Sequence, residues 1–286
     1  MSNTLFVGKV YLRFDELPST NDYARDLVAK SKPAEGTVVR AASQSAGRGQ
    51  YGSRWESEPG QNLTLSVIFY PFFLPVSEQF RLSEAVALAV LDTVDWKLEI
   101  GNWKSEGPHS FPQTGFDGQF PVSNFQFPIH RPSSTVKWPN DIYLGDRKAA
   151  GILIQNSLAG AHIQSSVVGI GLNVNQMVFR SDAPNPVSLA QATGRFFDLD
   201  EVADSLFKNL EVRYLQLKTA AGWAAIRAEY EQRLYRLGEL SKFRYLADDS
   251  VFEGIIRGVA ADGRLRVEAG EAERLFAVKE IGLVVG

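Results

Sequence analysis

Hydrophobic positions recur at two spacings along this chain, which predicts a mixture of strands and helices. Apolar runs or alternation indicate strands, whereas apolar residues three or four positions apart indicate helices. The strands predicted before residue 238 are Val10–Phe14, Thr37–Ala42, Asn62–Tyr70, Val136–Trp138, Ile142–Leu144, Gly151–Ile154 and Ser165–Val174. The first predicted helix follows Ser19-Thr20-Asn21 and runs to about Lys30. Further helices are predicted at Ser77–Val94, Val187–Thr193, Leu199–Lys218 and Trp223–Leu237. The clean alternation of Asn62–Tyr70 predicts a half-buried strand.

Beyond Gly238 the pattern changes to short strands separated by turn residues. These strands are predicted at Ser241–Tyr245, Val251–Val259, Arg264–Val267, Arg274–Ala277 and Ile281–Val285. We therefore expect an α+β chain with two domains. Residues 1–237 form a mixed or antiparallel sheet with flanking helices, and residues 238–286 form a small β-barrel.

Residues from about 96 to 134 show no sustained period and are rich in Pro, Gly, Phe, Ser and Asn. This stretch is longer than ordinary connections, so we interpret it as an insertion. Its many aromatic residues argue against a pure random coil, since such side chains usually pack on something. A lid or partner surface is one interpretation, and a peripheral excursion is the other.

Composition excludes several classes of function. The 286 residues are 44% apolar and carry a net charge of −3, which favours a folded, soluble chain without a global field for DNA. The absence of cysteine excludes disulfides and thiolate chemistry and fits a reducing compartment. His109, His130 and His162 are scattered and are interpreted as structural. With no basic-plus-apolar leader and no apolar run of membrane-spanning length, we expect a cytoplasmic protein with no membrane partner.

Charged residues cluster around a predicted turn at Lys137-Trp138-Pro139-Asn140-Asp141 and the hairpin that follows it. Lys137 and Lys148, with Asp141 between them, can face one pocket. Lysines neutralise developing oxyanion charge and a carboxylate holds Mg²⁺, so this group suits a reaction at a phosphate. The alternative is a surface hairpin with solvated charges.

A glycine-rich loop runs from Ser43 to Trp55 and contains Gly47, Arg48 and Gly49. Successive backbone N–H groups in such a loop can cradle a phosphate, and arginines add positive charge. The loop matches neither the Walker nor the dinucleotide spacing. Trp55 can shield an adenine ring or belong to the core.

Two further stretches offer polar groups. Ser19-Thr20-Asn21 precedes a helix, where Ser19 with Asp22 has the spacing of a capping box. Its hydroxyl and amide groups either cap that helix or bind a small polar ligand. Gly169-Ile170-Gly171 allows close approach to the backbone, and Asn173 offers an amide that both donates and accepts.

Together these stretches resemble the biotin protein ligases in order and spacing, from Val10 to the C-terminus except for the insertion. The resemblance implies a class II synthetase-like catalytic domain and an SH3-like C-terminal barrel. It implies that biotin and ATP, with Mg²⁺, form biotinyl-5′-adenylate. Biotin then passes to a lysine of the biotin carboxyl carrier domain of a biotin-dependent carboxylase.

Carried over by motif, the resemblance implies a role for each site residue. Residues that hold the biotin head group, carboxylate and adenylate phosphate are Ser19, Thr20, Asn21, Gln44, Arg48, Gly49, Gln50 and Lys148. Residues that contact ATP or the adenylate are Gly47, Arg48, Trp55, Lys137, Asn140 and Asn173. Lys148, Arg48, Lys137 and Asp141 carry the chemistry, and Asp141 is the expected Mg²⁺ ligand.

Two departures from the family pattern stand out. Many relatives have arginine where this chain has Gln50, which alters the charge over the phosphate. The residues before the first predicted strand are too few for the DNA-binding domain of some relatives, so we expect no DNA partner. Lipoate or octanoate ligases or transferases and a non-catalytic biotin-binding protein remain alternatives, and the sequence leaves monomer and homodimer open.

Overall fold

The chain forms a large sheet flanked by helices on both faces. A computed structural model describes residues 3–49, 55–100, 134–180 and 185–284. In the described part, seven strands pair in the order β1-β2-β3-β7-β6-β5-β4. Their bounds are β1 Tyr11–Leu17, β2 Val38–Gln44, β3 Leu63–Phe69, β4 Ser134–Lys137, β5 Asp141–Leu144, β6 Arg147–Ala159 and β7 His162–Leu172. Only β1 and β2 are parallel, so the sheet is mixed as expected.

Five α-helices accompany the strands in the described residues. They are α1 Thr20–Lys30, α2 Phe80–Ile100, α3 Leu189–Thr193, α4 Leu199–Gln216 and α5 Ala220–Gln232. Helix α1 packs on one face of the sheet, where Ala24 meets Val39, Ile68 and Val167. Helices α2 and α4 pack together on the opposite face and bury the larger core there.

The inner strand β3 differs from its prediction. Every residue of Leu63–Phe69 is buried, although alternation indicated a half-buried strand. Leu63, Leu65, Val67 and Phe69 join the core shared with α2 and α4. Ile68 faces α1. Since side chains two apart share a face, the polar alternate positions face the α1 side and not bulk solvent.

Helix α2 extends farther than its periodicity predicts. It continues to Ile100, so Trp96 belongs to the helix and not to the expected insertion. Lys97 Nζ lies 4.1 Å from the centre of the Trp96 ring, which is within cation–π distance. Residues 101–133, which make up most of the expected insertion, lie outside the described residues.

A second sheet follows α5. Its five strands are β8 Leu240–Tyr245, β9 Val251–Val259, β10 Leu265–Ala269, β11 Ala272–Phe276 and β12 Ile281–Leu283, in the order β11-β10-β9-β8-β12. All neighbours pair antiparallel, and their bounds agree with the predicted strands within about two residues. None of the described helices is long and apolar enough to cross a membrane.

The second sheet contacts the first through specific groups. Trp138 Nε1 donates to Gly263 O at 2.9 Å, and Arg227 on α5 donates to Val259 O. Tyr230, also on α5, donates from its hydroxyl to Pro139 O at 2.8 Å. The turn between β4 and β5 is therefore held from both α5 and the C-terminal sheet.

Candidate active site

A cavity opens where α1 begins above β3, β6 and β7. It encloses about 860 Å³, including space that is open to solvent. Ten residues predicted from the sequence line it. They are Ser19, Thr20, Asn21, Gln44, Arg48, Gly49, Trp55, Asn140, Asp141 and Lys148. Residues more than a hundred positions apart thus share one cavity, because β6 and β7 pair beside β3.

The start of α1 forms the polar end of the cavity. Ser19 is the N-cap of α1 and accepts the backbone N–H of Asp22 at 3.3 Å, as the capping spacing predicts. Thr20 N donates to Gln44 Oε1 at 2.7 Å, which joins the helix start to the end of β2. Asn21 Nδ2 lies 3.2 Å from Leu153 O. Ser19, Thr20 and Asn21 are all buried despite being polar.

Glycines make the floor of the cavity. Gly151 on β6 pairs with Gly171 on β7, and the indole of Trp55 lies across both. A Cβ on Gly171 would stand 2.3 Å from Trp55 Cε2, and one on Gly151 would stand 3.2 Å from Cζ3. At position 171 only glycine leaves room for the indole, whereas a Cβ at position 151 would be a tight contact. The buried Trp55 Nε1 has no hydrogen-bond partner among the described residues.

An ion pair lies at the β5–β6 hairpin. Lys148 Nζ is 2.7 Å from Asp141 Oδ2, and each side chain is about a quarter exposed, at 25% and 27%. The alternative of a surface hairpin with solvated charges does not describe this pair, since β5–β6 pairing and the register shift after Ile142 bring the two side chains together. The pair presents one cation and one carboxylate to the cavity.

Lys137 lies on the far side of this pair. It is directly opposite Asp141 in the β4–β5 register, and its Nζ donates to the Tyr143 hydroxyl at 3.0 Å. Burial lowers the pKa of Lys137, and Lys148 and Arg236 lower it further, while Asp141 acts in the opposite direction. Burial also raises the pKa of Tyr143, with Asp141 adding to the effect. Lys137 is not among the described residues that line the cavity.

The side chains of two asparagines contact backbone carbonyls around the site. Asn140 Nδ2 donates to Ile152 O, which ties the turn after β4 to the middle of β6. Asn173, which does not line the cavity, has its Nδ2 3.4 Å from Lys148 O, close to the upper limit for a hydrogen bond. Its buried Oδ1 has no hydrogen-bond partner within the described part of the chain. The backbone of Asn173 donates to Ala149 O at 2.9 Å.

The glycine-rich loop reaches the rim. Arg48 is more than half exposed and its Nη2 is 3.2 Å from Asp22 Oδ2 on α1. The Gly47 carbonyl accepts the N–H of Trp55 at 3.1 Å. Gln50 and Arg54, which belong to the same loop, lie outside the described residues. Among the described residues of this loop, Arg48 therefore supplies the positive charge at the cavity.

The described acidic residues are better suited to a metal ion that binds together with a nucleotide than to a metal site formed by protein side chains alone. In residues 3–49, 55–100, 134–180 and 185–284, no group of three His, Asp or Glu side chains is arranged to hold a metal ion. Mg²⁺ usually binds through one or two carboxylates together with substrate phosphates. Asp141 lines the cavity and can supply one such carboxylate oxygen beside Lys148.

Sequence reasoning missed the polar residues of β3. Thr64 lines the cavity, and Ser66 lies behind Thr20 and Asn21 with no exposed surface. The signal was the alternation of Asn62–Tyr70, which was interpreted as a solvent face. Thr64 faces the cavity under α1 instead, and Ser66 faces Thr20 and Asn21 behind it.

Comparison with known proteins gives matches along nearly the whole chain. A family model described as the biotin/lipoate A/B protein ligase family matches residues 13–173. A biotin–acetyl-CoA-carboxylase ligase of Paracoccus denitrificans is 35% identical over 246 residues, which are 82% of this chain and 88% of that protein. The bifunctional ligase/repressor BirA of Bacillus subtilis is 28% identical over 285 residues, 98% of this chain and 76% of that protein.

A solved structure has the same fold. The biotin protein ligase from Aquifex aeolicus in complex with biotin and ATP aligns with a TM-score of 0.70 at 21% identity. The alignment covers 97% of this chain and 100% of that one. At this identity the similarity concerns the fold, including the sheet, the helices and the C-terminal strands.

Proposed function

The chain belongs to the biotin/lipoate A/B protein ligase family, and we propose that within it the protein is a biotin protein ligase. It activates biotin with ATP and transfers the biotinyl group to a carrier lysine. The observation that carries this proposal is a single cavity that contains both a buried polar cluster and a lysine–carboxylate pair.

In the first step, the biotin carboxylate attacks the α-phosphate of ATP, forming biotinyl-5′-adenylate and releasing pyrophosphate. Two anions must approach each other, so a cation between them lowers the barrier. Lys148 is the described lysine that lines the cavity and fits this role. Arg48 at the rim supplies a second cation once it leaves Asp22.

In the second step, an uncharged lysine amine of the carrier attacks the acyl carbon, and AMP leaves. We propose a biotin carboxyl carrier domain of a biotin-dependent carboxylase as the partner. The Gly151–Gly171 floor with Trp55 is the flat apolar surface against which an adenine ring can stack. Lys137 acts from behind Asp141, where its charge adds to that of Lys148.

Mg²⁺ would be held by Asp141 together with the phosphates of ATP. When bound, such an ion neutralises phosphate charge and orients the leaving pyrophosphate. Lys148 pairs with the same carboxylate through Oδ2.

A lipoate or octanoate ligase is the rival within the same family. A plain acyl chain has no polar head, so it would leave the remaining hydrogen-bonding capacity of the buried Thr20 and Asn21 oxygens unused. The test is exchange of labelled pyrophosphate into ATP by the purified protein with Mg²⁺ and either biotin, lipoate or octanoate. We expect exchange with biotin, and exchange with octanoate but not with biotin would overturn the proposal.

A further inference from the structure

A fully buried serine lies behind the polar end of the cavity. Ser66 on β3 has 0% exposure. Its Oγ is 2.8 Å from Thr20 Oγ1 and 2.5 Å from Asn21 Oδ1. A hydroxyl has a single proton, so Ser66 donates to only one of these two oxygens at a time.

The orientation of Asn21 decides which oxygen receives that proton. Its amide nitrogen is 3.2 Å from Leu153 O and 3.3 Å from Gln155 Oε1. A backbone carbonyl can only accept, so the nitrogen must face Leu153 and the amide oxygen must face Ser66. Because the amide oxygen also can only accept, the Ser66 proton goes to Asn21. The Thr20 hydroxyl then donates its own proton to Ser66 Oγ.

This proton order gives the cavity a fixed polarity. Thr20 and Asn21 both line the cavity, and each presents an oxygen whose remaining capacity is to accept. Gln44 Oε1 already accepts the N–H of Thr20, which leaves the Gln44 amide nitrogen as a donor. Ser19 Oγ accepts from Asp22 N, which leaves the Ser19 proton for a ligand.

We propose that Ser66 is a positioning residue that sets this polarity and thereby makes the cavity selective for a cyclic urea. The inference rests on the proposed function and names the residue that determines its substrate class. Urea N–H groups meet the acceptors of Thr20 and Asn21, and the urea carbonyl meets the donors of Ser19 and Gln44. Gly169 keeps the space beside Asn21 open, since a Cβ there would lie 2.2 Å from Asn21 Oδ1.

The chain offers a closely matched control. Ser166 on the neighbouring strand β7 also has 0% exposure, and its Oγ donates to Asn156 Oδ1 at 2.8 Å. Neither Ser166 nor Asn156 lines the candidate active site. Ser66→Ala and Ser166→Ala therefore each remove a hydrogen bond from a fully buried serine to an asparagine, one behind the candidate active site and one away from it.

The experiment measures the biotin Kd of wild type and both variants by calorimetry. Leaving Asn21 without its buried donor and freeing the Thr20 proton should raise the Kd of Ser66→Ala about tenfold or more, whereas Ser166→Ala should change it less than about twofold. Dethiobiotin, which keeps the urea but lacks the sulfur, should lose affinity for Ser66→Ala by the same factor. At saturating biotin, we expect kcat and the KM for ATP to stay within about twofold of wild type.

A Ser66→Ala variant that binds biotin like wild type would overturn the inference, as would an equal loss of biotin and ATP affinity. If Ser66→Ala does not fold, Ser66→Cys keeps the side-chain shape with a larger γ atom and only a weak donor, and the same loss is expected. A wild-type protein that binds no biotin would refute the proposed function itself, so the two failures are distinguishable.

Discussion

At the residue scale, the chemistry of the site depends on a few paired charges. Lys148 and Asp141 form an ion pair that is partly open to solvent, with side chains 25% and 27% exposed. Partly exposed pairs contribute little to folding because water screens them. The Lys148–Asp141 pair is therefore better explained by ligand binding than by a contribution to folding stability. Substitution can separate these two explanations.

We predict that Lys148→Ala abolishes biotinyl-adenylate formation while lowering the free energy of unfolding by less than about 1 kcal/mol. The lost cation leaves the two reacting anions unscreened, whereas Asp141 can be solvated. Pyrophosphate exchange and urea unfolding measure the two effects. Lys242→Ala, at an exposed position on β8, is the control and should change neither. Near-normal adenylate formation by Lys148→Ala would remove Lys148 from the mechanism.

At the element scale, the site depends on how closely the strands β6 and β7 approach Trp55. A strand residue with a side chain at position 171 would occupy the space of the indole. Overpacking of a buried contact forces neighbouring groups to shift. The glycines of the cavity floor are therefore explained by the space that the indole occupies, more than by any turn of the backbone.

We predict that Gly171→Ala raises the KM for ATP at least about fivefold and destabilises the fold by about 1–3 kcal/mol, because the indole must move. Steady-state kinetics and urea unfolding test this. Gly282→Ala is the matched strand control, since its Cβ would meet Leu246 at 3.4 Å, an ordinary contact. An unchanged KM for ATP in Gly171→Ala would mean that the nucleotide does not use this floor.

The ends of the segment between α2 and β4 are fixed close together. Ser134 Oγ donates to Asp95 on α2, and Arg233 Nη2 lies 2.7 Å from both Asp95 Oδ2 and Ser134 Oγ. Ile100 is five residues beyond Asp95, or about 7.5 Å along the helix. A short connection can therefore join the two elements.

We predict that deletion of residues 107–132 leaves a folded, active enzyme. The remaining residues 101–106 and 133 can span roughly 23 Å. Loop closure changes by only about 0.6 kcal/mol per doubling of length. Thermal unfolding and pyrophosphate exchange of the deletion variant are the measurements. An insoluble product would show that the aromatic residues of the deleted segment belong to the core.

At the scale of the whole molecule, one buried carboxylate joins three parts of the fold. Glu84 on α2 is 0% exposed, and Arg227 on α5 donates to it and to Val259 O at the end of β9. Glu84 Oε2 has no hydrogen-bond partner among the described residues. Burial raises the pKa of Glu84 to about 7, although Arg227 opposes the shift.

We predict that this carboxylate makes stability fall as pH rises from about 4.3 to about 7. In that window, folded Glu84 keeps a proton that unfolded Glu84 has released, so stability falls by up to about 1.4 kcal/mol per pH unit. Above the folded pKa, this contribution is constant. Urea unfolding of wild type and Glu84→Gln between about pH 5 and pH 8 isolates the effect, since the amide does not titrate.

The difference between wild type and Glu84→Gln should therefore favour the variant increasingly toward pH 7 and then level off. Glu253→Gln, at an exposed position on β9, is the control and should follow the wild-type curve. Parallel curves for wild type and Glu84→Gln would show that Glu84 does not titrate in this window.

The sequence alone determined most elements and predicted ten of the residues that line the cavity. Capping at Ser19, glycine punctuation and apolar periodicity are local signals, so α1, α4 and the C-terminal strands could be predicted within a few residues. Each motif is contiguous in sequence, so the resemblance assigned Thr20, Arg48, Asp141 and Lys148 motif by motif, although these residues lie far apart along the chain.

The tertiary structure decided which faces of these elements are buried and which charges are paired. Alternation in β3 cannot tell solvent from a cavity under α1, so Ser66 was missed. The Lys148–Asp141 pair depends on strand register, and the proton order of Thr20, Ser66 and Asn21 depends on a carbonyl from β6. Such contacts join residues far apart in sequence, and only packing of the sheet brings them within hydrogen-bond distance.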